Sequence, residues 1–399
     1  MKVRKRVFLI LEDASVYAGY GFGAEPLSVD ELHPASSDLR SAGEVVFNTA
    51  MSGYHEVLTD PSYSGQLVVM TYPHIGNYGA DPAWSEIGPD GEGGRSVKAA
   101  GFVLRSNYDG PVPDGRITLD EFLKQGDVPG ITDIDTRRLT LHLRDTGSKT
   151  GLIVHKPGFD GAELPAEDLS RIQEYLAAFP TMVGRNLVGM VGSPRLIELN
   201  PDGSPHIALL DCGSKANIVR ELTSRGCRVT VVPSSTDPAD ILALGADAVL
   251  ASNGPGDPAV LETQTQGLAS LLGKTPMFGI CLGHQLISQA LGAKTVKMKF
   301  GHHGVNHPVR DERTGKVFVT SQNHGFTVDE ASLPDGVQVW FRNANDQSIE
   351  GIADDGRGIY TAQFHPESAP GPHDSSWIFD AFLDVIAARQ RTRQNGESK

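Results

Sequence analysis

The pattern of apolar positions changes character part-way along the chain. From His206 onward, short apolar runs alternate with segments in which apolar residues recur every three or four positions. Apolar strands joined by helical crossovers are typical of a parallel sheet that is covered on both faces. The predicted strands are 207–211, 228–233, 248–251 and 277–281, and the predicted helices between them are 215–224, 240–244 and 261–272. We therefore predict an α/β domain over residues 206–390, with a mostly parallel sheet flanked by helices.

The pattern changes again after Gly292, where apolar segments of strand type follow one another without helices between them. These segments predict strands at 295–300, 317–320, 337–341 and 359–364, followed by a last helix at 377–388. The polar residues 391–399 predict a frayed tail.

Residues 1–155 have a different rhythm, with short apolar segments separated by Gly, Pro and Asp. They predict strands at 7–11, 45–48, 67–71 and 100–105 and helices at 119–125 and 135–146, the second capped by Asp133 or Asp135. We expect a separate, mixed α+β N-terminal domain. The segments 47–66 and 71–79, rich in Gly, Asn, Tyr and Pro, are predicted to be ordered loops. Residues 156–205 contain one predicted helix (166–179) and a Pro- and Gly-rich boundary cluster, as expected of a connector.

Composition narrows the class of protein. The 399 residues are 39% hydrophobic and 21% charged, as in globular proteins, and the length favours more than one domain. The formal net charge of −14 argues against nucleic-acid and anionic-membrane partners. Three cysteines, an odd number, do not suggest a disulfide framework. The first apolar run ends at Glu12, too short for a secretory signal, and no run has transmembrane length, so we expect a cytoplasmic protein.

One cysteine lies in a sequence that predicts a sharp turn between a strand and a helix. Residues 279–283, GICLG, have a glycine two positions before and two positions after Cys281. Glycine is needed where the backbone is crowded, and such turns raise a nucleophile above the edge of a sheet. We interpret Cys281 as a catalytic nucleophile. The alternative is a buried structural cysteine, the interpretation that we give to Cys212 and Cys227.

A cysteine nucleophile needs a base and a group that orients the base. Among 13 histidines the best placed is His365, at the end of a predicted strand and followed by Pro366 and Glu367. Proline stiffens the link, so the imidazole and the carboxylate of Glu367 can meet. His365 would then exchange the proton of Cys281, with Glu367 fixing its tautomer. A surface His–Glu pair without a catalytic role is the alternative.

The loop SNGPGDP (252–258) follows another predicted strand and offers backbone donors. The N–H groups of Gly254 and of Leu282, directly after the cysteine, form our predicted oxyanion hole. A phosphate-binding loop is the alternative, although the spacing fits neither common glycine-rich phosphate motif. Histidines at 302, 303, 307 and 324 raise the possibility of a metal, but their spacing fits no familiar zinc helix. We expect no metal, and hydrogen-bonded loop histidines instead.

The motifs GICLGHQ, SNGPGDP and FHPE together resemble those of the triad-type (class I) glutamine amidotransferases, which release ammonia from glutamine with Cys, His and Glu. The resemblance extends to one family among them, the small (glutaminase) subunits of carbamoyl-phosphate synthase. The segments KTVKMKFGHHGVNHPV, SQNHGF, SAPGPHD, FNTAMSGYHEVLTDPSYSGQ and TYPHIGNYG carry this closer likeness. It therefore covers both predicted domains.

The resemblance implies a set of functional residues. The catalytic triad would be Cys281, His365 and Glu367. Glutamine would be bound by Ala50, Gly254, Gly256, Leu282, Gln285, Asn323, Gly325 and Phe326. Position 50 departs from well-known members, which carry serine there, so Ala50 can offer only its backbone. One neutral hydrogen bond is worth about 1 kcal/mol, so the expected loss is modest.

The resemblance also implies partners and a pathway. Ammonia would pass to a separate large subunit that makes carbamoyl phosphate from bicarbonate and ATP, for arginine or pyrimidine synthesis. This chain would need no cofactor, with ATP and Mg²⁺ on the large subunit, and the N-terminal domain would dock that partner. The alternatives are an amidotransferase with another acceptor, a free-standing glutamine hydrolase, and a non-catalytic binding or regulatory module.

Overall fold

The computed structural model describes residues 4–33, 40–89 and 97–397, with side chains through residue 392. The chain forms two compact units. The barrel unit comprises Met1–Ser85, Gly94–Arg185 and Lys299–His303, and the open-sheet unit comprises Glu86–Gly93, Asn186–Met298 and Gly304–Lys399. The predicted connector 156–205 is therefore divided between the two units. Among the described residues, no helix combines the length and apolarity needed to cross a membrane.

The barrel unit is built around a closed sheet. Its strands are β1 (Arg6–Leu11), β2 (Val16–Gly23), β3 (Leu27–Ser28), β4 (Ala42–Asn48), β5 (Gln66–Met70), β6 (His74–Ile75), β7 (Gly101–Val103), β8 (Ser106–Asn107), β9 (Pro129–Thr132) and β10 (Lys149–His155). The ring runs β1-β2-β9-β7-β5-β4-β10 and closes where β10 pairs antiparallel with β1. Strand β3 adds to β10, and β6 pairs with β8 separately. The expected mixed α+β domain thus contains a closed barrel-like sheet that the sequence did not predict.

The helices of the barrel unit explain why β1 is a continuous apolar run. They are α1 (Tyr54–Thr59), α2 (Leu119–Gln125), α3 (Thr136–Thr146) and α4 (Ala166–Ala178). Val7, Leu9 and Leu11 belong to the same buried cluster as residues of α3. Phe8 and Ile10 belong to a second cluster, with residues of α4. Because successive side chains of a strand point to opposite faces, both faces of β1 must be apolar.

Several N-terminal predictions can be compared with the structure directly. Helix α2 has the predicted bounds, and the Asp135 carboxylate accepts a hydrogen bond from the Arg138 amide (3.0 Å), which confirms the predicted cap. The prediction of a loop throughout 47–66 was wrong, because α1 lies within it. Tyr54 and Leu58 of that helix are fully buried, so tertiary packing stabilises a helix that local Gly and Pro content obscured.

The open-sheet unit contains the predicted α/β arrangement. Its strands are β11 (Ile197–Leu199), β12 (His206–Asp211), β13 (Arg228–Pro233), β14 (Ala248–Ala251), β15 (Met277–Ile280), β16 (Thr295–Asp311, of which 299–303 belong to the barrel unit), β17 (Val317–Val328), β18 (Gln338–Asn343), β19 (Ile349–Asp354) and β20 (Ile359–Ala362). Their order is β11-β13-β12-β14-β15-β20-β19-β18-β16-β17. The segment from β13 to β20 is parallel, as predicted, and β11 and the strands beyond β20 make the sheet mixed.

Helices cover both faces of this sheet. They are α5 (Ala216–Ser224), α6 (Pro238–Ala243), α7 (Glu262–Leu271), α8 (Leu282–Ala290) and α9 (Trp377–Glu397). One buried cluster joins alternate residues of β12 to α5 and α9. A second joins the intervening residues of β12 to α6, α7 and α8. This double coverage confirms the prediction made from the continuous apolar strands.

Two predictions for the C-terminal half were wrong. The expected loop histidines at 302, 303, 307 and 324 lie on β16 and β17, because these strands run far beyond their short apolar stretches. The expected polar tail 391–399 continues α9 through Glu397, and residues 398 and 399 lie outside the described part of the chain.

Candidate active site

Cys281 lies at the turn between β15 and α8. Its backbone has φ 52° and ψ −105°, a conformation that is rare for a residue with a side chain. Backbone strain of this kind is concentrated at functional sites. The strained strand-to-helix turn predicted from the two flanking glycines is therefore present.

The two glycines allow α8 to lie directly against the sheet. A Cβ atom at Gly283 would lie 2.0 Å from the carbonyl oxygen of Ala251 on β14, and one at Gly279 would lie 2.6 Å from the Gly283 carbonyl oxygen. Both distances are impossible for real atoms, and the obstacle in each case is backbone. The position of Cys281 thus depends on two residues without side chains.

His365 and Glu367 form a buried pair just beyond β20. The His365 Nδ1 and a Glu367 carboxylate oxygen are 2.7 Å apart, and both side chains are almost fully buried. The His365 amide donates to the Ser321 carbonyl on β17 (2.9 Å), which fixes where the segment turns away from the sheet. The pairing predicted from the sequence HPE is present.

The charges around His365 favour its protonated form. Burial alone would lower its pKa, but the negative charges of Glu367 and of Cys281 in its thiolate form outweigh burial and raise it. With Nδ1 directed to Glu367, Nε2 has no hydrogen-bond partner among the described residues. The Cys281 sulfur itself lies 3.6 Å from the carbonyl oxygen of Asn323 on β17.

A buried lysine completes the surroundings of Glu367. The Lys215 ammonium is 3.0 Å from the Glu367 carboxylate and also donates to the Ser368 carbonyl. The side-chain amide of Asn217 donates to the Glu367 backbone carbonyl. Burial raises the pKa of Glu367, but the positive charges of Lys215 and His365 outweigh it and lower the pKa to about 2. Glu367 is therefore an anion held between two cations.

Lys215 was not predicted as a site residue from the sequence. The position was predicted to begin a helix, and the residue occupies the N-cap position of α5. Its place just after a strand of a parallel sheet was the available signal, because the carboxyl ends of such strands form binding sites. Its burial depends on contacts with residues more than 150 positions away, which no local pattern reveals.

The predicted oxyanion donors lie at neighbouring strand ends. Leu282 is the first residue of α8, so its N–H is one of the first-turn donors that have no partner within the helix. Gly254 follows β14, and a Cβ there would lie 2.1 Å from the Cys212 carbonyl oxygen. The next predicted residue, Gly256, has φ +97° and forms an isolated bridge with Asn186.

The remaining predicted glutamine-binding residues of this unit lie on α8 and β17. Asn323, Gly325 and Phe326 are on β17, and the Gln285 amide nitrogen donates to the Phe326 carbonyl (2.9 Å). That nitrogen also donates to the side-chain oxygen of Gln363 (2.9 Å), a fully buried residue that the sequence analysis overlooked. Both hydrogens of the Gln285 amide are thereby used, and its oxygen stays available as an acceptor.

Ala50 belongs to the barrel unit, directly after β4. It is fully buried, and its N–H donates to the side-chain oxygen of Asn48 (2.7 Å). Its backbone donor is therefore already used within its own unit.

Cys212 and Cys227 match the prediction of inert packing residues. Each is fully buried in one of the two apolar clusters of the open-sheet unit. Burial raises the pKa of both thiols, to about 11 for Cys227. Thiols of this kind are poor nucleophiles at neutral pH.

Two family models and several curated relatives match the chain. Residues 208–385 match the model of the class-I glutamine amidotransferases, and residues 9–153 match that of the carbamoyl-phosphate synthase small chain, CPSase domain. The carbamoyl phosphate synthase small chain of Akkermansia muciniphila is 44% identical, over 97% of this chain and 99% of its own length. That of Methanocaldococcus jannaschii is 45% identical, over 94% and 98%.

The chain belongs to the carbamoyl phosphate synthase small chain family. As a carbamoyl phosphate synthase small chain it is the glutaminase component of that enzyme. The small-chain model matches residues of the barrel unit, and the amidotransferase model matches the part of the open-sheet unit that contains Cys281, His365 and Glu367.

Proposed function

We propose that this small chain hydrolyses glutamine through a thioester on Cys281. The observation that supports it most strongly is the strained turn at Cys281 together with the buried His365–Glu367 pair. The Cys281 sulfur attacks the carbon of the glutamine side-chain amide, forming a C–S bond and a tetrahedral oxyanion. The N–H groups of Gly254 and Leu282 stabilise that oxyanion, because fixed backbone donors need no reorganisation as charge develops.

His365 carries out both proton transfers in this mechanism. It gives its proton to the departing nitrogen, so that the C–N bond breaks and ammonia leaves. A water molecule then attacks the thioester, His365 accepts a proton from that water, and glutamate and the free thiolate are released. Glu367 holds the imidazole through Nδ1 and offsets its positive charge, while Lys215 keeps Glu367 ionised.

Glutamine would be held by groups at the carboxyl ends of the strands and on β17. We assign this role to Gly254, Gly256, Leu282, Gln285, Asn323, Gly325 and Phe326. The Gln285 oxygen is suited to accept a hydrogen bond from the substrate, since its amide nitrogen is already used.

The ammonia would be passed to a large subunit that makes carbamoyl phosphate from bicarbonate and ATP, with Mg²⁺ on that subunit. The name of the family, a small chain, supports the existence of such a partner. The barrel unit, most of which lies outside the residues that the amidotransferase model matches, is our candidate for the docking surface.

The test is Cys281→Ser in the complex with the large subunit. We expect glutamine-dependent synthesis of carbamoyl phosphate to fall at least 10³-fold, because a serine hydroxyl is a far weaker nucleophile here. Ammonia-dependent synthesis should remain. Cys227→Ser makes the same chemical change at a buried packing residue and should keep glutamine-dependent activity. Glutamine-dependent synthesis by Cys281→Ser at the wild-type rate would exclude the thioester mechanism.

A further inference from the structure

The helix that carries Lys215 and Asn217 to the triad is capped by a residue far away in the chain. Helix α5 has no N-cap hydrogen bond from its own N-cap residue, Lys215. Instead the Glu86 carboxylate accepts a hydrogen bond from the Asn217 amide (3.1 Å), and the Glu86 carbonyl accepts one from the Ala216 amide (3.3 Å). The first amides of a helix have no partners within it, and these two oxygens of Glu86 accept hydrogen bonds from two of them.

Helix α5 is capped by a distant residue because Lys215 occupies its N-cap position. The N-cap position normally carries a short side chain that folds back onto the helix. A lysine ammonium only donates hydrogen bonds, so Lys215 cannot cap, and its side chain is directed to Glu367 instead. Glu86 takes over that task from the short segment 86–93, which is distant in sequence but belongs to the open-sheet unit.

Glu86 is itself buried and hydrogen-bonded. It is 1% exposed, and its second carboxylate oxygen accepts a hydrogen bond from the Arg220 guanidinium, one turn further along α5 (3.1 Å). Both carboxylate oxygens are therefore bonded to the same helix. Asn217 is the direct link to the triad, because its backbone N–H binds Glu86 while its side-chain amide binds the Glu367 backbone.

We propose that Glu86 is a positioning residue for the catalytic triad. By fixing the first turn of α5, it holds Lys215 and Asn217 so that Glu367 stays directed at His365. This inference rests on the proposed function of Cys281, His365 and Glu367. It also means that the amidotransferase machinery is incomplete without a segment from the N-terminal half of the sequence.

The experiment compares Glu86→Ala and Glu86→Gln in the holoenzyme. Removing the side chain frees the first turn of α5, and a displacement of about 1 Å at a catalytic group can lower a rate by about 10²-fold. We expect Glu86→Ala to lower kcat for glutamine hydrolysis at least tenfold, with KM for glutamine changed less than about twofold. Glu86→Gln keeps an oxygen that can accept from the Asn217 amide. It should recover kcat to within about threefold of wild type.

The matched control is Asp237→Ala, which removes the carboxylate that caps α6 in the same unit (Ala239 amide, 2.8 Å). It should keep the wild-type kcat, since α6 carries no group of the triad. Should Glu86→Ala fail to fold, Glu86→Leu removes the acceptor while filling the site, and the same fall in kcat is expected.

Three results are decisive, and each can be distinguished from the others. A wild-type kcat in folded Glu86→Ala or Glu86→Leu, with Cys281→Ser inactive, would overturn the positioning role and leave the proposed function intact. Equal losses of kcat in Glu86→Ala and Asp237→Ala would also overturn it. The fall in kcat would then follow from the loss of any helix cap and not from the position of Glu86. Glutamine hydrolysis by Cys281→Ser at the wild-type rate would overturn the proposed function itself.

Discussion

At the scale of single residues, the site contains three buried groups of alternating charge: a lysine, a glutamate and a histidine. Lys215, Glu367 and His365 are each at most 2% exposed at the side chain, and each contacts the next. A buried charge is costly unless it is paired, so the three stabilise one another and none can be removed alone without loss.

The lowered pKa of Glu367 gives a prediction for stability. Its pKa of about 2 in the folded protein is below the ordinary glutamate value of 4.5. Its contribution to the free energy of unfolding is therefore complete above pH 4.5 and is lost as pH falls toward 2. Breaking a buried charge pair costs about 3–5 kcal/mol. We expect Glu367→Gln to lower the free energy of unfolding by about that amount at pH 6, and by less at pH 3.

Urea unfolding at pH 6, 4.5 and 3 would measure this difference. Glu163→Gln, at an exposed position, is the control and should match wild type throughout. If the free energies of unfolding of wild type and Glu367→Gln differ by the same amount at all three pH values, the prediction is contradicted.

Gln363 gives a second prediction at this scale. Its side-chain oxygen and the Phe326 carbonyl together fix the amide of Gln285. Gln363→Leu leaves one Gln285 hydrogen without its partner and lets that side chain turn. If Gln285 binds substrate, KM for glutamine should rise about tenfold, a loss of about 1.4 kcal/mol, with a smaller change in kcat.

Steady-state kinetics of glutamine hydrolysis would test this. Gln338→Leu, at an exposed position on β18, makes the same change away from the triad and should be silent. An unchanged KM in Gln363→Leu would show that Gln285 is held without it.

At the scale of elements, the contact of α8 with β14 sets the position of Cys281, our proposed nucleophile. Gly283→Ala would place a methyl group 2.0 Å from a backbone oxygen, so α8 must move away from the sheet. Overpacking of this kind costs about 1–3 kcal/mol. Because Cys281 precedes α8 directly, we expect kcat for glutamine hydrolysis to fall at least tenfold along with the loss of stability.

Gly267→Ala is the matched control for that change. Gly267 lies inside α7, and a Cβ there would meet only Pro238, at an ordinary 3.5 Å. Since alanine favours a helix, the variant should be more stable by about 0.5–1 kcal/mol and keep its activity. Wild-type thermal unfolding and kcat in Gly283→Ala would contradict the role given to the close contact.

Elements differ in how well the sequence predicted them. The helices and parallel strands between His206 and Gly292 have strong, regular apolar periods, and they were predicted within a few residues. Helix α1 and the extended ends of β16 and β17 lack such a period. Their polar residues are ordered by partners distant in sequence, such as the Cys281 sulfur beside the Asn323 carbonyl.

At the scale of the whole molecule, the closed sheet of the barrel unit has its own core. Gly43 on β4 pairs with Gly151 on β10, and a Cβ at Gly43 would lie 2.2 Å from the Gly65 carbonyl oxygen. Gly43→Ala must therefore open the ring locally. We expect faster amide hydrogen exchange in barrel peptides such as 6–11 and 149–155, and wild-type exchange in 277–290 of the open-sheet unit.

This prediction follows from the separate buried clusters of the two units. The control is Gly158→Ala in the barrel unit, where a Cβ would meet nothing within 4 Å although φ is positive. Equal acceleration in both units for Gly43→Ala would show that they unfold as one body.

The region around Cys281 contains features that the sequence determined by itself and features that only the tertiary structure decided. The sequence by itself determined the α/β character of residues 206–390, the strained turn and the pairing of His365 with Glu367. These depend on residues close together in the chain, where apolar period, glycine and proline act directly. Closure of the barrel, the burial of Lys215 beside Glu367 and the capping of α5 by Glu86 were decided only by the tertiary structure. Each joins residues more than 100 positions apart, and their pairing depends on how the strands are ordered in space.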